Sequence, residues 1–202
     1  SQAVLSEISD WIRKKTKDVL KVDNLEIDKD WQSYVVNALY FKGSWAKKFE
    51  SKSTKTEDFA GVTGNRKVPM MHNYGNYNYC EYGGFEAIEL PYGNGDYVMT
   101  VMMSKSKDKL SPEVMSGIVS AMEKEYISLG FPKFETETDI SEFPISLVKF
   151  DSFRHVAKIN VDEEGTEAAA VTVIGDAALA PNAPRELIFN QPFYYVITQK
   201  TT

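Results

Sequence analysis

Apolar and polar positions change period several times along this chain, and each period predicts an element. Over residues 3–20, Val4, Leu5, Ile8, Trp11, Ile12, Val19 and Leu20 fall roughly on one stripe. Arg13, Lys14, Lys15 and Lys17 lie largely off it, which predicts an amphipathic helix. Residues 31–41, WQSYVVNALYF, are aromatic and β-branched and predict a long central strand ended by Gly43. An antiparallel system follows over 67–103: KVPMMHNYGNYNYCEY, a Gly83-Gly84 turn, then FEAIELPYGNGDYVMTVMM. Within it, Gly93-Asn94-Gly95-Asp96 separates two alternating runs, as a hairpin requires. Residues 111–125 predict a helix with Ser111 as N-cap and Pro112 at its first position. Strands follow at 126–137, 145–161 and 186–198. The sum is an α+β chain with large antiparallel sheets, without internal repeat, low-complexity segment or linker.

One stretch fits no single period. Residues 161–180, VDEEGTEAAAVTVIGDAALA, open on Asp162, Glu163 and Glu164, shrink to Ala168, Ala169 and Ala170, and hold no proline. The alanines favour helix, and Val171, Thr172, Val173 and Ile174 favour strand. A segment divided in this way suits a loop that changes state. Taken alone, it would equally suit an acidic start feeding a short alanine-rich helix.

Composition narrows the classes. The 202 residues give one large domain or two small ones, and a 43% hydrophobic fraction allows a sizeable core. A net charge of −6 argues against nucleic acid as the main partner, which asks for a basic face. The single cysteine, Cys80, rules out an internal disulfide and a multi-cysteine zinc site, and reads as a small buried apolar residue. No run approaches the about 18 apolar residues of a membrane span. The two histidines, His72 and His155, lack metal-motif spacing, and no GxSxG, HExxH or phosphate-cradling loop occurs. A hydrolase would have to recruit one of those histidines as its base.

Four blocks point to one family. The first is Ile8-Ser9-Asp10-Trp11-Ile12 with Thr16. The second is Asn37-Ala38-Leu39-Tyr40-Phe41-Lys42-Gly43-Ser44-Trp45 with Phe49. Val68-Pro69-Met70-Met71 and Phe131-Pro132-Lys133-Phe134 form the third. The fourth runs from His155 through Ile159, Val161 and EEGTEAAA to Phe189-Asn190-Gln191-Pro192-Phe193. In this order the chain resembles the serpins, the serine-protease-inhibitor superfamily, over nearly its whole length. The resemblance implies a serpin fold of large, mostly antiparallel sheets, flanking helices and a mobile reactive-centre loop at about residues 162–188. It also implies that 1–202 is a single domain continued by further segments at both ends. The stretch from Ile140 to Leu147 is shorter than the family's usual one.

The function implied is inhibition, not catalysis, and needs no cofactor or metal. A protease would attack the loop, and the cut loop would enter the main sheet as a strand, trapping the acyl-enzyme. Glu163, Glu164, Gly165, Thr166, Glu167, Ala168, Ala169 and Ala170 would form the hinge. Strand alternation sends Thr166, Ala168 and Ala170 to one face and Glu167 to the other, so the inward residues are small and uncharged. A charge among them would be buried on insertion. Gly165 supplies backbone freedom at the pivot. Spacing from Gly165 puts the cleaved bond among Ala177, Ala178, Leu179 and Ala180, whereas counting back from Phe189 points nearer Pro181. Small and apolar residues there suit elastase-, subtilisin- or chymotrypsin-like serine proteases, with papain-like cysteine proteases as further candidates. A trypsin-like target would need a base, and Arg185 lies too far on. Asn37, His155, Trp45 and Lys133 match the family's sheet-opening cluster, with Glu163 expected to pair with Lys133. The alternative is a non-inhibitory serpin acting as a binding or chaperone-like protein. The remaining expectations are a monomer in an extracellular or periplasmic setting, without membrane span or nucleic acid partner.

Overall fold

A computed structural model of the chain describes residues 2–18, 34–140, 152–166 and 183–200. The chain divides into two compact units, residues 1–42 with 135–160, and residues 43–134 with 161–202.

The first unit holds helix α1 (Gln2–Lys15), strand β1 (Tyr34–Tyr40), strand β8 (Phe134–Ile140) from residue 135 on, and strand β9 (Ser152–Val161) up to residue 160. β1 and β9 are parallel neighbours over seven positions, from Tyr34↔Ser152 to Tyr40↔Lys158, and β8 pairs with β9. Ile12 and Thr16 are the buried residues of the first helical stretch, and the Thr16 hydroxyl donates to the Ile12 carbonyl at 2.8 Å. The helix is shorter than its periodicity predicts. Lys17 and Asp18 take φ of 51° and 62°, which ends it, and Val19 and Leu20 lie outside the described residues. Val4 and Trp11, expected on the apolar stripe, are 44% and 46% exposed.

The second unit is built on a sheet in the order β11-β7-β4-β5-β6-β12, with β3 also on β4. Its strands are β3 (Lys55–Gly61), β4 (Gly64–Tyr82), β5 (Phe85–Tyr92), β6 (Tyr97–Ser104), β7 (Glu123–Pro132), β11 (Arg185–Ile188) and β12 (Phe193–Gln199). The expected hairpins form. Gly83 and Gly84 both take positive φ, 59° and 82°, which the tight β4–β5 turn requires and only glycine adopts freely. β6 is buried at every position but Tyr97, because both faces of the sheet are covered. On one face, helix α2 (Pro112–Ala121) sets its Ile118 into a buried cluster with Cys80, Phe85, Ala87 and Met102. The Ser111 hydroxyl caps it by accepting the Val114 N–H. On the other face Phe131, Phe189 and Phe193 meet edge to face or tilted, with centroids 5.6–5.7 Å apart.

Tertiary pairing overrides the sequence pattern in three places. The helix expected to reach 125 stops at Ala121, and Glu123 already pairs with Tyr79 of β4. The strand expected over 126–137 breaks at Lys133, between β7 and β8. The strand expected over 186–198 breaks between Ile188 and Phe193, and residues 145–151 of the strand expected over 145–161 lie outside the described residues. Gly43 does not end strand structure either, since Gly43–Ser44 forms the short strand β2.

Candidate functional site at the start of the loop

After β9 the chain reverses in a tight turn made by its acids. The Asp162 N–H donates to the Gly165 carbonyl at 3.0 Å. The Asp162 carboxylate accepts the N–H groups of Glu164 at 2.9 Å and Gly165 at 3.2 Å. Gly165 takes φ +143°. A Cβ there would come within 2.6 Å of Ser44 Cα and 2.8 Å of Trp45 N, so the position admits glycine alone. The two-residue strand β10 (Gly165–Thr166) results. It pairs antiparallel with Gly43–Ser44 on one side and, through Thr166, with Val161 on the other.

Each of the other two acids has a separate partner. Glu163 is 8% exposed, and its carboxylate accepts Lys133 Nζ at 2.7 Å and the Thr54 hydroxyl at 2.7 Å. Burial alone would raise this carboxyl. The hydrogen bonds from Lys133, Thr54 and a backbone N–H, with the Lys133 charge, outweigh burial and hold it below its ordinary value. Glu164 pairs with Lys48. The backbone of the same turn is held from the other side. Trp45 N–H donates to the Glu164 carbonyl at 2.9 Å, Phe49 N–H to the Glu163 carbonyl at 3.0 Å, and the Trp45 indole N–H to the Asp162 carbonyl at 2.9 Å.

Beneath this turn lies an aromatic floor. Trp45 stacks on Tyr92 with centroids 4.4 Å apart and planes 17° from parallel. The Tyr92 and Thr166 hydroxyls are 3.0 Å apart, and Thr166 is 2% exposed. Burial pushes the Tyr92 phenol well up, with the Thr166 hydroxyl opposing, so Tyr92 stays neutral over the ordinary pH range.

Trp45, Lys133, Glu163, Glu164, Gly165 and Thr166 thus meet in the second unit. Asn37 and His155 belong to the first, where the register makes them direct partners across β1 and β9. Glu167, Ala168, Ala169, Ala170, Ala177, Ala178, Leu179 and Ala180 lie outside the described residues. The sequence did not single out Thr54, Lys48 or Tyr92. No motif marks them, because a strand residue's type does not tell which distant loop will pack on it. Beyond residues 167–182, Arg185 opens β11. Its guanidinium bonds Glu125 at 2.6 Å and Glu81 at 3.0 Å and lies 5.1 Å from the Tyr79 ring centre.

The remaining candidates have local roles. His72 Nε2 is 2.7 Å from the Glu57 carboxylate. Cys80 is 6% exposed and its thiol donates to the Ile118 carbonyl, with burial pushing the thiol up. Among the described residues no three His, Cys, Asp or Glu side chains gather as metal ligands, and no helix is long and apolar enough to cross a membrane.

The family model described as "Serpin (serine protease inhibitor)" matches residues 1–143 and 137–202. An uncharacterized serpin-like protein of Methanosarcina mazei is 29% identical over 229 residues, covering 96% of this chain and 54% of that protein. The antitrypsin of Bombyx mori is also 29% identical, covering 94% of this chain and 58% of that protein. Among solved structures, the native thermophilic serpin tengpin superimposes with a TM-score of 0.82 at 21% identity, covering 98% of this chain and 60% of that one. Human thyroxine-binding globulin complexed with its hormone gives 0.80 at 18% identity, covering 99% and 61%. The chain therefore spans between half and two thirds of the length of these relatives, and the structural likenesses speak to the fold.

Proposed function

The chain belongs to the serpin family, and on that premise we propose that the protein carrying it is a suicide-substrate inhibitor of serine proteases. One observation carries this reading. Gly165 and Thr166, the residues that lead into the loop, already form a strand with ladder partners on both sides, and Thr166 is buried against Tyr92. A chain continuing from Thr166 in strand conformation would put Ala168 and Ala170 on the same face, where small uncharged side chains enter with least obstruction. Completing the insertion requires β1 and β9, bonded directly over seven positions, to part. Capture of the acyl-enzyme then depends on insertion outrunning its hydrolysis.

The target class on this reading is a protease with a small or apolar primary pocket, cutting among Ala177, Ala178, Leu179 and Ala180, in an extracellular or periplasmic setting. The protein would act as a monomer. The test is incubation with elastase, subtilisin, chymotrypsin and trypsin, followed by denaturing gels and mass spectrometry. A covalent protease–inhibitor band with cleavage between Ala177 and Pro181 is the expected result. Clean cleavage without a covalent band would favour the non-inhibitory alternative, a binding or chaperone-like serpin.

A further inference from the structure

We propose that Asn94 is a site of spontaneous modification, where the side-chain amide is lost as ammonia and aspartate and isoaspartate form. Asn94-Gly95 is the one asparagine–glycine pair in the chain, and it lies in the turn between β5 and β6. Glycine in second place matters because no side chain shields its nitrogen. Gly95 takes φ +94°, a side chain there would touch nothing within 4 Å, and Asn94 is exposed, so water reaches the pair.

Asp96 grips the amide at both ends. Its N–H donates to Asn94 Oδ1 at 3.2 Å, which folds the side chain back over the Gly95 peptide. The same N–H is aimed at the oxygen that gains charge when Cγ is attacked. At the other end, Asn94 Nδ2 donates to the Asp96 carboxylate at 2.7 Å. In the reaction the Gly95 nitrogen gives its proton to water or hydroxide and bonds to Asn94 Cγ. The Cγ–Nδ2 bond then breaks, and its electron pair leaves with the nitrogen. A proton from water completes the ammonia, with the Asp96 carboxylate in place to relay it. Water opens the resulting cyclic imide at either carbonyl, giving aspartate or isoaspartate, and nothing is oxidised or reduced. The Gly95 N–H donates to the Tyr92 carbonyl at 2.7 Å, so that bond must open before attack, and its opening sets the pace.

The product no longer fits the turn. An oxygen takes the place of Nδ2, and two carboxylates then face each other across the contact that was a hydrogen bond. Isoaspartate also lengthens the backbone within the turn. Three backbone bonds carry the disturbance outward. The Gly95 N–H holds the Tyr92 carbonyl, the Lys200 N–H holds the Asp96 carbonyl at 2.7 Å, and the Gly93 N–H holds the Ser44 carbonyl at 2.8 Å. Ser44 belongs to β2, the strand on which Gly165 and Thr166 pair. Modification at Asn94 therefore loosens the support of the loop's first residues, all within the second unit.

The test incubates the full chain at neutral and at mildly alkaline pH and follows each asparagine by peptide mass spectrometry, with fragmentation that separates aspartate from isoaspartate. Asn94 should convert at least about tenfold faster than Asn65, Asn73, Asn76, Asn78 or Asn190, and faster still in alkali. Asp96→Asn keeps the backbone N–H and removes the carboxylate, so it should slow conversion about threefold or more. A merely structural Asp96 would give the opposite sign, since a looser turn frees the Gly95 nitrogen. Asn94→Asp, which stands in for the modified chain, should have a lower thermal midpoint than the parent. Three results would each overturn the proposal: conversion at Asn94 no faster than at the other asparagines, an unchanged or higher rate in Asp96→Asn, or a midpoint in Asn94→Asp at or above the parent's. No readout involves a protease, so this proposal and the inhibitor reading fail separately.

Discussion

At the scale of single residues, the starting turn is held by one glycine and one carboxylate. Gly165→Ala places a Cβ against Ser44 Cα and Trp45 N at a φ of +143°. It should destabilise the protein by about 1–3 kcal/mol and lower the thermal midpoint. A midpoint equal to the parent's would mean the turn is not built as described. Glu163 gives a pH dependence. Its carboxyl is held below the ordinary 4.5 in the folded protein, so its stabilisation is complete above about that pH and is lost as pH falls through the folded value. Glu163→Gln should therefore cost about 1–3 kcal/mol near neutrality, and the gap from the parent should narrow in acid. Denaturant titrations of both proteins between neutral pH and about pH 3 measure it, and a gap independent of pH would show that Glu163 acts through packing and not charge. The sequence names both members of the Glu163–Lys133 pair, because each sits in a short distinctive block. It is silent on Thr54 and Tyr92, which come from elements far away in the chain and carry no local signal.

At the scale of elements, what could be read in advance was what local physics decides. The β4–β5–β6 meander follows from alternation plus two glycine-rich turns, and both turns fall where they were expected. The start of α2 follows from Ser111 and Pro112 for the same reason. Ser111→Ala removes the hydroxyl that accepts the Val114 N–H and should cost about 1 kcal/mol, read as a lower denaturant midpoint with an unchanged slope. No change would mean that water replaces the cap. The end of α2 was not legible. Glu123, Lys124 and Glu125 are good helix formers, yet they pair with Tyr79, Asn78 and Tyr77 of β4, and ladder bonds outweigh propensities of tenths of a kcal/mol. The break at Lys133 has a similar origin: its N–H turns to the Pro69 carbonyl and its ammonium to Glu163.

At the scale of the whole molecule, inhibition on the proposed reading is a race between strand insertion and hydrolysis of the acyl-enzyme, and Thr166 stands at its start. Thr166 is 2% exposed, with its hydroxyl on Tyr92 and its backbone between Val161 and Gly43. An arginine there must either bury its charge against the aromatic floor of Tyr92 and Trp45 or draw β10 out of its ladder. Either event comes before any of Ala168 or Ala170 can enter. Raising the insertion barrier by only about 1.4 kcal/mol slows that step about tenfold and leaves hydrolysis untouched. Thr166→Arg should then be cut by the target protease at the parent's rate but yield mostly cleaved protein and little covalent complex. Thr166→Val, which keeps the shape without the hydroxyl, should stay an inhibitor and show that the charge is responsible. The measurement is the number of inhibitor molecules consumed per protease inactivated, by titration of residual activity and by densitometry of the complex. A Thr166→Arg variant that inhibits with the parent's stoichiometry would remove the small buried hinge residue from the mechanism, and with it the main physical reason for reading this chain as an inhibitor.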